Sequence, residues 1–423
     1  MPMLLGSKGS DIMQWRASVE LVERLRERLD RKWARSTARE AESFLGAVIA
    51  SVEEELSYES QLDEELSSLH RSIREAESPL QLQPIRGRYH EVVTAHFRRR
   101  SSVLALCGAC CSLHDALLAR AIELAEERML QLGQGRAPIY ALLVSGDRGR
   151  EEETLHGNNR YLLLHELDSP RFFLFSRQLL LSFREAGLLA GEEMLWHGSL
   201  LEWRALLADG REPREAAGGA FLAPVTPFDI APRPEPQPIQ DWKWRLEAMA
   251  DLRFLTGYEP LGAQALSAAA LCIKEQKNRD PFMQVARRVI TLPLALGRFG
   301  RWRLVRSGEH KGEIDLEELA LLPMMMTLRA MAVQAGVHGG GSVQRVRALL
   351  ERGALDVDLA DRLLKAFQCF MQLRIESEIR TEQGGAFANP EEFSLERDQR
   401  IREAVEAVLS LQKIAYQKMV GQL

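Results

Sequence analysis

The spacing of apolar residues changes near Ala137, and this change constrains the fold more than any other feature of the chain. Before it, Val19, Leu21, Val22, Leu25 and Leu29, then Phe44, Leu45, Val48, Ile49, Val52, Leu56 and Leu62, recur at helical spacing with Glu and Arg between them. After it come two short continuous apolar runs, 139–144 and 161–164, of strand length. Between the runs lies a Gly-rich, charged turn, Ser145-Gly146-Asp147-Arg148-Gly149-Arg150-Glu151-Glu152-Glu153-Thr154. Helical patterns resume over 172–186 and 199–207, and 247–254 is a third strand candidate carrying Asp251. From about residue 263 onward the pattern is helical again, with helices predicted over 314–335, from Ser342, over 359–379 and over 395–423. Few strands among many helices predict a helix-dominated α+β protein with one small sheet.

Breakers divide the chain. Ser78-Pro79 and Gln83-Pro84 interrupt the N-terminal helices, whose heptads are irregular enough to leave both a bundle and a short coiled coil open. A single helix is predicted over 89–132. The stretch 210–240, with its alternating Pro-x-Pro run, reads as an exposed insertion. Three domains are expected: 1–100, 101–262 containing the Pro-rich insertion, and 263–423.

A net charge of -5 provides no bulk basic field, so nucleic acid is not an expected partner. No apolar run approaches the roughly 20 residues that span a bilayer, so no membrane association is expected. The segment 1–9 is too short for a signal-peptide core. Five cysteines without regular spacing point to a reducing compartment, the cytoplasm. Cys107, Cys110, Cys111 and His114 fall on one helical face, read as a buried face of small residues rather than a zinc site, which needs turn-borne ligands. Arg98-Arg99-Arg100 reads as a solvated face and Met324-Met325-Met326 as core. His156 stands beside the turn and is a further candidate for the site. There is no Gly-x-Ser-x-Gly elbow and no P-loop Gly-Lys-Ser/Thr.

A strand, a Gly-rich turn and a second strand at hairpin distance can bring backbone amides to a phosphate. With a pair of Asp residues on the second strand and a third carboxylate from another strand, the same frame holds two divalent metals for nucleotidyl transfer. The chain resembles bacterial nucleotidyltransferases related to glutamine-synthetase adenylyltransferase and PII uridylyltransferase. Those carry Gly-Ser-x-Gly-Arg-x-Glu, then Thr, then Asp-x-Asp. Gly149, Arg150, Glu152 and Thr154 stand at the matching positions. Asp251-Leu252-Arg253 followed by Gly257 resembles the third-carboxylate strand, and Leu292-Pro293-Leu294 onward resembles a C-terminal helical domain. The likeness covers roughly residues 100 to 423. It implies a small mixed sheet of the polymerase-beta-like type, flanked by N-terminal helices and a C-terminal helical bundle. By the same resemblance Gly146, Gly149, Arg150, Glu152, Thr154 and Arg160 would frame a nucleotide or phosphate site.

Three positions depart from the pattern. Asp147 replaces the family Ser, and Asn158 and Arg160 replace the two aspartates, which leaves Asp251 as the surviving catalytic carboxylate. An anion at Asp147, about 4 Å from a phosphate at an effective dielectric near 20, repels it by roughly 4 kcal/mol. Asn158 is a weaker ligand for a hard cation, and the permanent cation Arg160 repels Mg²⁺. No metal is expected at the degenerate site, with Mg²⁺ the cofactor only if transfer survives. The expected function is that of a catalytically impaired regulatory or signalling protein. The alternatives are an active nucleotidyltransferase with a rearranged site and a helical interaction scaffold. Expected partners are a nucleotide and a protein, or a second copy bound through the N-terminal helices. Arg150–Asp147 or Arg160–Glu152 pairing would close the cleft.

Overall fold

Strand β1 (Tyr140–Gly146) is buried along its whole length because both faces of the sheet are covered. Leu142 and Val144 enter one apolar cluster, while Ala141 and Leu143 enter another on the opposite face. Strand β2 (Asn159–His165) divides likewise, with Tyr161 and Leu163 on the first side and Leu162 and Leu164 on the second. A period of two with both faces dry reads in sequence as a continuous apolar run.

The computed structural model describes residues 38–157, 159–166, 170–189, 194–209, 223–224, 250–276 and 280–421. Asn158, the helical pattern over 11–37 and most of the Pro-rich stretch lie outside the described residues.

Three helices open the described chain: α1 (Ala38–Glu75), α2 (Leu82–Arg100) and α3 (Val103–Gln131). The single helix expected over 89–132 is broken at Ser101, which takes φ 53 and caps α2 through its N–H to Phe97 O. Helix α3 is long and apolar enough to cross a membrane by length and composition, with a mean hydropathy of 1.4, contrary to the expectation that no segment would be. Ser112, His114 and Asp115 interrupt its run of apolar letters without changing its average. In the structure 61% of that segment is buried inside the protein. Helix α4 (Pro170–Glu185) packs beside α3 on the first face of the sheet.

Strand β3 (Met194–Ser199), which the sequence pattern did not separate from the following helix, runs parallel to β2. Helix α5 (Leu200–Asp209) and the two-residue strand β4 (Ala223–Pro224) follow. Strand β5 (Arg253–Gly257) pairs antiparallel with β1, giving the order β4-β3-β2-β1-β5 and a small mixed sheet. The expected strand at 247–254 is thus displaced toward the C-terminus, and Asp251 sits just before it. Gly257 permits this pairing: its φ is 105, and a Cβ there would lie 2.4 Å from Tyr140 O. Helix α6 (Glu259–Gln276) joins α5 in covering the second face.

The C-terminal part is helical: α7 (Asp280–Val289), α8 (Leu322–Gln334), α9 (Ser342–Glu351), α10 (Val357–Thr381) and α11 (Leu395–Met419). Ile314–Asp315, expected to open a helix, instead forms strand β6 against β7 (Phe387–Ala388), and a π turn over Glu317–Leu321 leads into α8. Helix α8 is buried on every side from Leu322 to Val333, Met324-Met325-Met326 included. An all-round apolar helix belongs at the centre of a bundle. The chain is therefore a helix-dominated α+β protein with one small mixed sheet, and α8 lies against the turn that follows β1.

Candidate functional site

The turn after β1 is built from its own backbone. Gly146 takes φ 90, Arg150 N–H donates to Gly146 O at 3.1 Å and Glu152 N–H to Asp147 O at 2.9 Å. Gly149 is required by close approach: a Cβ there would stand 2.1 Å from the backbone oxygen of Asp251. The turn is thus pressed onto the segment carrying the third carboxylate, which brings Asp147, Arg150, Glu152 and Asp251 together.

One guanidinium organises this group. Arg150 donates from Nη2 to Asp147 at 2.5 Å, from Nε to Glu152 at 2.8 Å and from Nη1 to Asp251 at 2.8 Å. Asp251, fully buried, also accepts from Arg329 of α8, with Nε at 3.0 Å, and from Arg345 of α9 at 2.5 Å. Burial opposes its ionisation, but the guanidiniums of Arg329, Arg345 and Arg150 outweigh burial and hold the carboxyl well below the ordinary range. Arg374 of α10 closes the other side, donating to Asp147 at 2.7 Å and to Glu378 at 2.9 Å. Glu378 accepts from the Thr154 hydroxyl at 2.7 Å, and burial raises its pKa despite Arg374. Glu152 accepts from the backbone N–H and the hydroxyl of Ser342, at the start of α9. A Cβ on Gly341, the preceding residue, would meet Arg150 O at 2.5 Å, so this approach also needs glycine.

A second buried set lies beneath the first. Arg148 donates to Glu153 at 2.7 and 2.8 Å and to the Tyr161 hydroxyl at 2.7 Å. Asn159 donates to Glu153 at 2.6 Å and accepts from Arg148 N–H at 2.8 Å, and His114 Nδ1 stands 2.9 Å from Glu153. Burial lowers the His114 pKa against the pull of Glu153, so the imidazole is a neutral support for the turn.

The sequence-predicted residues divide accordingly. Gly146, Asp147, Gly149, Arg150, Glu152, Thr154 and Asp251 converge. Arg160 lies on β2 opposite Ser145, partly buried, and Asn158 is outside the described residues. Of the two pairings that would close the cleft, Arg150 with Asp147 is present. The backbone of His156 joins the site through its N–H to Glu378 at 3.4 Å and its carbonyl to Arg374 at 3.3 Å. Cys107, Cys110 and Cys111 are core residues of α3 whose thiol pKa values are pushed up by burial. Among the described residues no group of three or more His, Cys, Asp or Glu is arranged to hold a metal. The Arg98–Arg100 run is not simply solvated: Arg100 pairs with Glu55 and Glu59 of α1 at 2.6 and 2.9 Å.

Sequence reasoning gave no site role to Arg148, Arg329, Arg345, Arg374 and Glu378. The available signal was a single charge, Arg329, inside an otherwise apolar helix, and an Arg-x-x-x-Glu pair at 374–378.

The donor set does not fit a divalent cation. The carboxylates nearest the turn are already bound by guanidiniums, and three arginines converge on Asp251, where Mg²⁺ would need anionic oxygens facing it.

Comparison with known families agrees with this frame. Residues 87–210 match the model described as "Putative nucleotidyltransferase DUF294", and residues 279–419 match "Putative nucleotidyltransferase substrate binding domain". The chain belongs to this nucleotidyltransferase family. A search of curated proteins returns no match. The first matched region carries the Gly-rich turn, and the second carries Arg329, Arg345 and Arg374. Arg329, Arg345 and Arg374, which reach Asp251 and Asp147 from outside the turn, thus come from the region matched to the substrate-binding domain.

Proposed function

We propose that the chain is a nucleotidyltransferase-like regulatory protein that does not carry out metal-dependent transfer, its cleft being occupied by its own arginines. The observation that carries this reading is Asp251, fully buried and bound by Arg150, Arg329 and Arg345. Two-metal transfer needs carboxylates free to ligate, a triphosphate with room to enter and cations that neutralise the leaving pyrophosphate. Here the carboxylates serve as counter-ions for side chains from another region of the chain. Titration calorimetry with ATP, GTP, CTP and UTP, with and without Mg²⁺, tests the proposal. No Mg²⁺-dependent heat is expected; tight Mg²⁺-dependent binding of any of the four sinks it.

A second reading, metal-free binding of a nucleotide or phosphate without transfer, is favoured by one atom. Among the described residues Arg345 Nη1 is buried without a hydrogen-bond partner. Burial and the neighbouring Arg329 lower the Arg345 pKa against the pull of Asp251, an arrangement that an added anion would relieve. Binding of inorganic phosphate or ATP in EDTA, lost in Arg345→Gln, is its expected sign. Under either reading we assign residues 1–100 to an N-terminal helical domain, 101–262 to the nucleotidyltransferase-like domain and 263–423 to the helical domain that supplies the arginines. The setting is cytoplasmic and the output is a protein contact.

A further inference from the structure

Two exposed surfaces among the described residues take no part in closing the cleft, and their chemistries are opposite. The first is the loop between α7 and β6. Leu296 and Trp302 form an antiparallel bridge, Gly297 N–H donates to Arg301 O at 2.8 Å and Val305 N–H to Glu313 O at 2.9 Å. At its tip Phe299 is 98% exposed and adopts φ 63, a left-handed conformation that disfavours any residue but glycine. The tip is anchored from α11: Arg402 donates to Gly300 O at 2.5 Å and lies 4.6 Å over the Trp302 ring, whose Nε1 donates to Asp398 at 2.9 Å. A strained, anchored loop that turns an aromatic ring into water marks a contact surface. Residues 297–313 carry five Lys or Arg against two Glu, and Arg301, Arg303, Arg306 and Leu304 are exposed beside Phe299.

The second surface is the outer face of α1. Ile49 and Leu56, 56% and 58% exposed, stand seven residues apart on one face, with Glu53 between them and Asp63 and Glu64 continuing it. Residues 49–64 carry six Asp or Glu and no Lys or Arg. Of these six, Glu54, Glu55 and Glu59 pair with Arg99 and Arg100 of α2, so the charge offered to a partner is that of Glu53, Asp63 and Glu64.

We propose that these surfaces meet between two copies of the chain, the Phe299 loop of each seated on the Ile49–Leu56 face of the other's α1. Charge complementarity selects this occupant. A basic loop with an exposed aromatic ring fits an acidic face with two exposed aliphatic residues. An anionic lipid surface would suit the loop but would leave the α1 face without a role. A two-fold pair uses the contact twice, which gives closed symmetry. The proposal is independent of what the cleft binds.

Sedimentation velocity of the full chain at low and high salt is the test. A salt-sensitive dimer is expected. Phe299→Ala, and the combined Arg301→Glu, Arg303→Glu and Arg306→Glu, should each raise its dissociation constant about tenfold or more. So should Glu53→Arg with Asp63→Arg and Glu64→Arg. Combining the two charge reversals should restore the dimer. All these residues are exposed, so far-UV circular dichroism and the thermal melt should stay unchanged. A monomer at every concentration overturns the proposal, as does a dimer indifferent to either set or a combined variant that stays dissociated. A monomer that sediments with phosphatidylserine vesicles through Phe299 overturns it in favour of a lipid surface.

Discussion

Replacing Asp251 by Asn tests whether this carboxylate holds the protein together or holds a metal. The substitution keeps shape and removes charge. Asp251 is fully buried and neutralises three buried guanidiniums, Arg150, Arg329 and Arg345. Removing one partner of a buried ion set costs about 3–5 kcal/mol, because the remaining charge is left uncompensated. Hydrogen bonds to charged groups are each worth about 1.5–3 kcal/mol, and Asn can keep only part of them. With three cations affected, a cost near the upper end, about 4–5 kcal/mol, is expected. For an m-value of about 2–3 kcal/mol per molar urea, the unfolding midpoint should fall by roughly 1.3–2.5 M. Urea titration followed by far-UV circular dichroism at neutral pH reads this directly. Adding Arg345→Met should recover part of the loss, since residues in one ion network couple by about 0.5–3 kcal/mol. A metal-binding carboxylate predicts the opposite sign, because catalytic carboxylates are held at a cost in stability that their removal relieves. An Asp251→Asn protein as stable as the parent, or more so, would refute the counter-ion role.

Other expectations follow from the same geometry. Gly149→Ala places a Cβ 2.1 Å from Asp251 O and 2.9 Å from Ser145 Cα, both backbone atoms that cannot swing aside. Overpacking of this kind costs about 1–3 kcal/mol or more, so a clear fall in melting temperature is expected, and an unchanged melt contradicts the close approach. For pH, the pKa values of Asp251 and Glu153 are depressed, so their stabilisation is present above the ordinary carboxylate pKa of about 4 and is lost as pH falls below it. The pKa values of Glu378 and Glu317 are raised by burial, so the folded state holds their protons more tightly and loses stability as pH rises above their ordinary value. Scanning fluorimetry should show the melting temperature falling as pH drops below about 4, where Asp251 and Glu153 begin to take up protons. Glu378→Gln should flatten the alkaline limb.

The sheet and the turn were legible because their signals are local. The strand runs are written consecutively, and Gly149, Arg150, Glu152 and Thr154 occur at fixed offsets. Strand β3 was not, because Met194–Ser199 is short and runs directly into α5, so its apolar letters merge with the helical pattern. The split between α2 and α3 was hidden for a similar reason: Ser101 ends a helix through its backbone conformation, which no strong breaker announces. The arginine contacts around Asp147 and Asp251 were least legible. Asp147 read by itself as an anion repelling phosphate, yet it lies between Arg150 and Arg374, the latter 227 positions away in sequence. Contacts at such separations are set by how α8, α9 and α10 pack, and the hints in sequence were the lone charge of Arg329 in an apolar helix and the Arg374–Glu378 spacing.

This distribution of charge bears on whether the altered Asp-x-Asp position alone would account for the proposed absence of transfer. If it did, writing Asp back at Asn158 and Arg160 should restore a metal site. The arrangement around Asp251 predicts otherwise. A metal bound by the restored aspartates would also need Asp147, Glu152 or Asp251, which are already neutralised by Arg150, Arg329, Arg345 and Arg374. A divalent cation would have to displace several guanidiniums, each leaving a buried charge without its partner at about 3–5 kcal/mol. The combined Asn158→Asp and Arg160→Asp variant is therefore expected to show no transfer of radiolabelled nucleotide to protein from a lysate, in Mg²⁺ or Mn²⁺. Adding Arg329→Met and Arg345→Met would remove two cations but leave Arg150, which holds three carboxylates at once, so transfer should still be absent. Label transfer by the double variant alone would mean that the arginines yield to metal, and that their closure of the cleft is a consequence of the lost aspartates rather than a separate barrier.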